Sequence, residues 1–328
     1  MGGIAFMFRP QRRLGGIGRR ARLKIEFLVS VGSSPTAATS SRISFVCAGE
    51  VSLLALMSAL RTIGIIAGNG IYPETFVEAA RRKCPGIRLV IAAFENETKP
   101  ELRERVDGWE LFRVGQLGKL IKFFLKEGVG EAIMVGQIAP KNLFDLRPDL
   151  RTLMLLARVK ERNAETLFGA IADELDKDGI RLLPATTFLE DLLPEPGHVC
   201  GPAMKKRQLE DAAFGFRIAK ESSRLDIGQS VVVRHGTVLA VEAFEGTNAC
   251  IRRGGELGRG KDAMLVKVSK PGQDFRFDVP VVGPQTIETC VASGVKAIAV
   301  EARRTLLLDK PTVERLCKEH GVSIQAVE

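Results

Sequence analysis

Thr62–Lys83 reads TIGIIAGNGIYPETFVEAARRK, and its reading decides the fold. The first six residues are a short apolar run rich in β-branched side chains, which reads as a buried strand. Gly68-Asn69-Gly70 is a turn, and Pro73 has the fixed φ that suits a first helical turn, so a helix is expected near Pro73–Lys83. An apolar strand that feeds a helix through a glycine turn is the opening unit of a parallel sheet covered on both faces.

The alternation continues outward. Ile87–Ala93 (IRLVIAA) reads as a second strand, and Leu117, Leu120, Ile121, Phe124 and Leu125 have helical spacing over Leu117–Glu127, closed by Gly128. Glu131–Val135 is another buried strand, Arg151–Arg162 and Ala164–Lys177 read as helices, and Ile180–Leu183 ends this half after a Gly179 cap. Glu190–Pro202 (EDLLPEPGHVCGP) concentrates proline and glycine and sets a domain boundary near residue 192. Beyond it come a helix at Lys205–Ser223 and a hairpin, VVVR and VLAVEA around His235-Gly236. Strand and helix then alternate over Val279–Val282, Thr286–Ser293, Val295–Glu301, Pro311–His320 and Val322–Val327. The expected fold class is α/β: an N-terminal Rossmann-like parallel-sheet domain over 57–191 and a second, mixed α/β domain with an antiparallel element over 192–328.

The chain has 328 residues, 45% hydrophobic and 27% charged, which suits about two globular domains. Its longest apolar run, Val51–Leu60, is far shorter than the ~18 residues of a spanning helix. The six cysteines form no CxxC pair and only three histidines exist, so zinc sites, disulfide frameworks and Ser-His-Asp chemistry are disfavoured. Carboxylates, lysines and backbone amides must carry any chemistry. The net charge is +9, but residues 1–56 hold seven Arg and one Lys against two Glu, which is +6 and leaves +3 for the rest. A nearly balanced body gives no reason to expect a nucleic-acid partner. Residues 1–56 lack periodicity, and Val31–Thr36 (VGSSPT) can be encoded by a stretch containing GGTTCGAGTCC, the pattern of a transfer-RNA T-arm. The expectation is a translated upstream region with the natural start at Met57; the alternative is a genuine basic arm.

Four segments carry chemistry. Gly64–Gly70 offers backbone N–H groups to a phosphate, or is a plain tight turn; no Gly-Lys-Ser/Thr follows it, and Pro73 stands where a dinucleotide fingerprint has its third glycine. Gly136 and Gln137, with Lys141, follow another strand at the same end of the sheet, as does Gly115–Gly118 after a third; the bland reading is a surface loop. Arg224–Ser230 and Val241–Asn248 flank strands with polar residues, with Arg252 and Arg253 just beyond, a set that suits a metal-bound diphosphate or a solvated turn. Lys267–Pro280 packs two Lys, one Arg and two Asp together, and Asp278 borders an apolar strand, so it needs a cation: a metal, a Lys, or Arg276 in a simple salt bridge. Phosphoryl transfer needs positioning and charge neutralisation and no histidine.

GIIAGNGIYP (64–73), RLDIGQ (224–229), LAVEAFEGTNACIRR (239–253) and KPGQDFRFDVPVVG (270–283) resemble the UDP-2,3-diacylglucosamine pyrophosphatase family of the lipid A pathway, in its type with two α/β domains. That type is distinct from the calcineurin-like metallophosphoesterases with the same reaction. The resemblance covers about 62–328. It implies Mg²⁺-dependent hydrolysis of UDP-2,3-diacylglucosamine to 2,3-diacylglucosamine 1-phosphate (lipid X) and UMP, with the ligand between the domains. The family's catalytically important Asp falls on Asp278. Gly68, Gly70, Ile71, Tyr72, Gly136, Gln137, Asp226, Gln229, Ser230, Thr247, Asn248, Arg252, Lys267, Arg276 and Phe277 are expected at the substrate, and Asp278, Asp226 and Glu245 at the metal. Asn248 departs from the Asp common at its position, and the extension 1–56 has no counterpart in the family. Phe144, Leu146, Met154, Leu155 and Phe168 are candidates for an acyl-chain lining, or ordinary core. A cytoplasmic location peripheral to the inner membrane is expected, and a homo-oligomer is left open. The rivals are a nicotinamide-dependent Rossmann oxidoreductase, with Glu95 or Glu97 holding a ribose, and a non-catalytic nucleotide- or lipid-binding protein.

Overall fold

The computed structural model describes residues 61–138, 148–159 and 164–328. Residues 1–56, Met57, Lys141, Phe144 and Leu146 lie outside the described residues.

The first half is a five-stranded parallel sheet. Its strands are β1 (Thr62–Ala67), β2 (Arg88–Phe94), β3 (Gly108–Phe112), β4 (Glu131–Val135) and β5 (Arg181–Leu182), in the order β3-β2-β1-β4-β5. Helices α1 (Tyr72–Lys83), α2 (Leu117–Lys126), α3 (Leu150–Arg158) and α4 (Ala164–Lys177) accompany it. The period-2 alternation of strand side chains divides the core. Ile63, Ile65 and Ala67 pack with Phe76 of α1 on one face, while Ile66, Val90 and Ala92 pack with Leu120 and Phe124 of α2 on the other. Gly64 lies under α2, where a Cβ would come within 2.8 Å of the Phe124 ring. Strand order reverses between β1 and β4, and the crevice beyond their carboxyl ends is where open α/β sheets bind ligands.

The second half has six strands in the order β6-β13-β11-β9-β7-β8. They are β6 (Gly197–Cys200), β7 (Ser230–Arg234), β8 (Thr237–Val241), β9 (Ala263–Lys267), β11 (Val295–Glu301) and β13 (Ser323–Val327). The central β9, β11 and β13 are parallel, and β6, β7 and β8 run antiparallel to their neighbours. Helix α5 (Lys206–Arg224) covers one face through Ala212 and Ala219; α6 (Thr247–Leu257), α7 (Pro284–Ala292) and α8 (Lys310–His320) cover the other through Ile251, Ile287 and Val313. The chain is thus the expected pair of α/β domains.

A third element joins them. The strand expected over Val279–Val282 shortens to β10 (Val281–Val282), because Pro280 has no N–H and the parallel pairing with β12 (Leu306–Leu307) covers only two residues. Alternate side chains of this pair enter different cores: Val281, Leu306 and Leu308 pack with the first half, Val282 and Leu307 with the second.

Candidate active site

At the switch point the loops after β1 and β4 are closed on each other. Gly68 N–H donates to Val135 O (2.8 Å), Asn69 N–H to Gln137 O (2.7 Å) and Gln137 N–H to Asn69 O (3.3 Å). A Cβ on Gly68 would sit 2.4 Å from Gln137 O, and one on Gly136 2.7 Å from Asn69 O. These two glycines therefore serve the close approach of the loops, and the Gly68 and Asn69 amides are consumed by it. Gly70, at φ +90°, has open space around it. Its N–H and that of Ile71 have no acceptor among the described residues, and α1 begins directly after them. That leaves a short anion-facing edge instead of a full glycine cradle. The Tyr72 hydroxyl donates to Ala185 O (2.7 Å), and burial pushes its phenol well above the ordinary value. Gln137 presents an exposed side chain. Glu95 pairs with Arg113 (3.0 Å), and the buried Glu97 accepts from Asn69 Nδ2 (2.6 Å), so both candidate ribose ligands of the oxidoreductase reading are committed.

The second sheet contributes a buried chain of polar groups at the carboxyl end of β9. Lys267 is 8% exposed, and its Nζ donates to Thr247 Oγ1 (3.0 Å). Thr247, the first residue of α6, donates in turn to Glu242 Oε1 (2.7 Å). Glu242 is also buried; its Oε2 has no hydrogen-bond partner, nor has the hydroxyl of the fully buried Ser230 beside Lys267 on β7. Burial lowers the Lys267 pKa, and the charges of Glu242 and Asp278 work against that shift. Sequence reasoning took in Glu242 with the polar segment Val241–Asn248 but gave it no role of its own; its only individual signal is a charge at the end of an apolar strand.

Asp278 comes to Lys267 from the segment between β9 and β10. Phe275 O accepts from Ala185 N–H (2.7 Å), just beyond β5. The Phe277 ring lies 5.7 Å from that of Phe168, on the α2 face of the first sheet, while Val279 packs on the α1 face. Asp278, between them, straddles the edge of that sheet and still acts on Lys267 of the other. Arg276 does not pair with Asp278. Its guanidinium takes both oxygens of Asp274, Nε donating to Oδ1 (3.0 Å) and Nη2 to Oδ2 (2.6 Å), which holds the Asp274 carboxyl below its ordinary value. The Asp278 carboxylate has no hydrogen-bond or ion-pair partner among the described residues.

The remaining candidates are placed as follows. Asp226 has a left-handed backbone (φ 55°) and pairs with Lys270. Glu245 is exposed, bonded to Arg253 (2.6 Å) and to Ala243 N–H (3.1 Å); its own backbone amide first, then Arg253, lowers its pKa. Gln229 O accepts from Val268 N–H (2.9 Å), Asn248 sits in the first turn of α6, and Arg252 is exposed on that helix. Met154 is exposed, Leu155 is core, and Phe168 packs on Phe277. Among the described residues no three His, Cys, Asp or Glu converge as a metal cage, so Asp278, Asp226 and Glu245 are not assembled into one. The donor set fits Mg²⁺ in another way, since that ion is commonly held by one or two carboxylates together with substrate phosphates. Asp278 is the one carboxylate of the three with no cation already bound to it.

Residues 62–192 match the family model for the LpxI N-terminal domain, and residues 195–325 that for the LpxI C-terminal domain. The chain belongs to the LpxI family. One relative, "UDP-2,3-diacylglucosamine pyrophosphatase LpxI" of Caulobacter vibrioides, is 29% identical over 279 residues, covering 82% of this chain and 98% of the relative. The motif-based resemblance thus points to the right family. In this LpxI-family chain no helix among the described residues is long and apolar enough to cross a membrane.

Proposed function

We propose that this LpxI-family chain hydrolyses the pyrophosphate of UDP-2,3-diacylglucosamine in lipid A biosynthesis, giving 2,3-diacylglucosamine 1-phosphate and UMP. Water adds to the α-phosphorus, the bridging P–O bond breaks, and the oxygen of that bond leaves with the sugar phosphate. The observation that carries the reading is the unpaired Asp278 at the edge of one sheet, within the field of the buried Lys267 of the other. Lys267 has three N–H donors, of which Thr247 takes one, so positive charge remains for an anion. Gly70 and Ile71 add N–H groups at the start of α1. Mg²⁺ is proposed as the cofactor, held by Asp278 together with the substrate, where it would neutralise the diphosphate. The acylated substrate places the protein at the cytoplasmic surface of the inner membrane as a peripheral protein.

The test is incubation with UDP-2,3-diacylglucosamine and Mg²⁺, following UMP. Release of UMP by the wild type, lost in Asp278→Asn, supports the reading. Binding of the UDP-sugar without UMP release would make the protein a non-catalytic binder.

A further inference from the structure

On the α5 face of the second sheet, opposite Lys267, lies a second buried ionic group that the reaction just described does not use. Ser269 is fully buried, and its N–H (2.6 Å) and Oγ–H (2.8 Å) both donate to Glu301 Oε2 at the end of β11. Lys220 of α5 closes the group: its Nζ donates to both Glu301 oxygens (2.7 and 2.8 Å) and to Ser269 O (3.0 Å). Arg304 approaches Glu301 from outside at 3.7 Å. An ion pair this buried adds little net stability, because the cost of desolvation offsets the attraction. What it does supply is geometry. Donor and acceptor groups of one backbone residue, together with its hydroxyl, are held by two fixed side chains. That residue is Ser269, two positions after Lys267 and at the root of the segment that carries Asp278 to the first sheet.

We propose that Glu301 is a positioning residue for the reaction. Through Ser269 it sets the direction in which the chain leaves β9, and so the placement of Asp278 relative to Lys267; Lys220, bonded to both carboxylate oxygens, keeps Glu301 oriented. The proposal rests on the active-site reading above. Small displacements of a reacting group lower turnover steeply while leaving ground-state binding nearly unchanged.

The test compares wild type with Glu301→Gln, which replaces one acceptor oxygen by a donor NH2 facing either Lys220 or Ser269 and so cannot satisfy both at once. Two quantities are read: kcat and KM for UMP release, and hydrogen exchange of backbone amides over residues 268–278. The expected result is a fall in kcat of about ten- to a hundredfold, of the size seen for outer-shell partners, with KM within about threefold. Exchange should quicken in 268–278 and stay unchanged in β1 and β2. Unchanged kcat with unchanged exchange in the segment overturns the proposal, and so does a loss that appears in KM alone. If the wild type itself releases no UMP, the proposed function fails, and the exchange measurement alone then decides whether Glu301 orders the segment. If Glu301→Gln does not fold, Ser269→Ala, which removes one bond of the set, takes its place with an expected loss of severalfold and is judged by the same two readings.

Discussion

Lys267 Nζ lies 3.0 Å from Thr247 Oγ1, which ties the last residue of β9 to the first residue of α6. Burial lowers the lysine's pKa below its ordinary 10.5, against the pull of Glu242 and Asp278. As the pH rises, the folded protein releases this proton before the unfolded chain does. Wild-type stability therefore rises with pH through the window just below 10.5, and this contribution is lost as the pH falls through the folded pKa. Lys267→Met lacks the effect, so the difference between the two urea midpoints should slope with pH in the window just below 10.5. A flat difference would show the ammonium to be no worse off inside than outside.

Asp278→Asn keeps the shape of a side chain that makes no hydrogen bond within the described residues, so the fold should be retained. Turnover should fall by about a thousandfold or more, about 4 kcal/mol of transition-state stabilisation. Release of UMP and near-UV circular dichroism, measured on the same preparation, check this. Wild-type turnover in the variant removes Asp278 from the chemistry.

The two glycines of the first loop should separate under mutation. Gly68→Ala drives a Cβ to 2.4 Å from Gln137 O and should cost about 2 kcal/mol or more, visible in the urea midpoint. Gly70→Ala collides with nothing and meets only the strain of φ +90°, about 1–2 kcal/mol, so the protein should fold while diphosphate affinity weakens severalfold. A larger loss of stability in Gly70→Ala than in Gly68→Ala, or unchanged diphosphate affinity in Gly70→Ala, would contradict this division of labour.

Chelation should stop turnover, and Mg²⁺ should restore it. Because no three acidic, cysteine or histidine side chains converge among the described residues, Mg²⁺ alone should leave the melting temperature within about 1 °C, whereas Mg²⁺ with UDP should raise it. A clear rise with the ion alone would indicate a resident site.

Asp149 caps two helices at once. It accepts from Gly118 N–H (2.7 Å) and Lys119 N–H (3.2 Å) of α2, and from Thr152 N–H (2.9 Å) of its own α3. Burial raises its pKa, but the bonds from Thr152, Gly118 and Lys119 outweigh that and hold it below 3.8. Its stabilisation is present above that value and lost as the pH falls through the folded pKa. Asp149→Ala should cost about 1–2 kcal/mol at neutral pH, and the cost should shrink in acid; denaturant midpoints at pH 7 and in acid give the comparison.

Much of the framework is written in local pattern. Thr62–Ala67, Glu131–Val135, Ala164–Lys177 and Val295–Glu301 have the ends expected of them, Glu131–Val135 because Gly130 and Gly136 bracket its short buried run. Helix α6 was not legible. Glu245–Asn248 reads as a turn, and Gly254-Gly255 argues against a helix, yet both glycines are needed where the helix lies against β7 and α7: a Cβ would meet Val232 at 2.4 Å and Ser293 O at 2.2 Å. Strand β9 escaped notice because it is short and ends in a lysine that tertiary structure buries. In the site, Arg276 lies two residues from Asp274 and two from Asp278, so spacing alone cannot tell which carboxylate it neutralises. Glu301 is 32 residues from Ser269, a pairing that only the sheet creates.

The seating of β10 and β12 in two interiors at once has a consequence for any attempt to divide the gene. A fragment ending near residue 192 would lack Val281, Leu306 and Leu308 and expose a bare hydrophobic bed where they belong; the complementary fragment would carry those same side chains into water. Neither piece should survive alone in the cell, whereas co-expression should let them meet and complete each other.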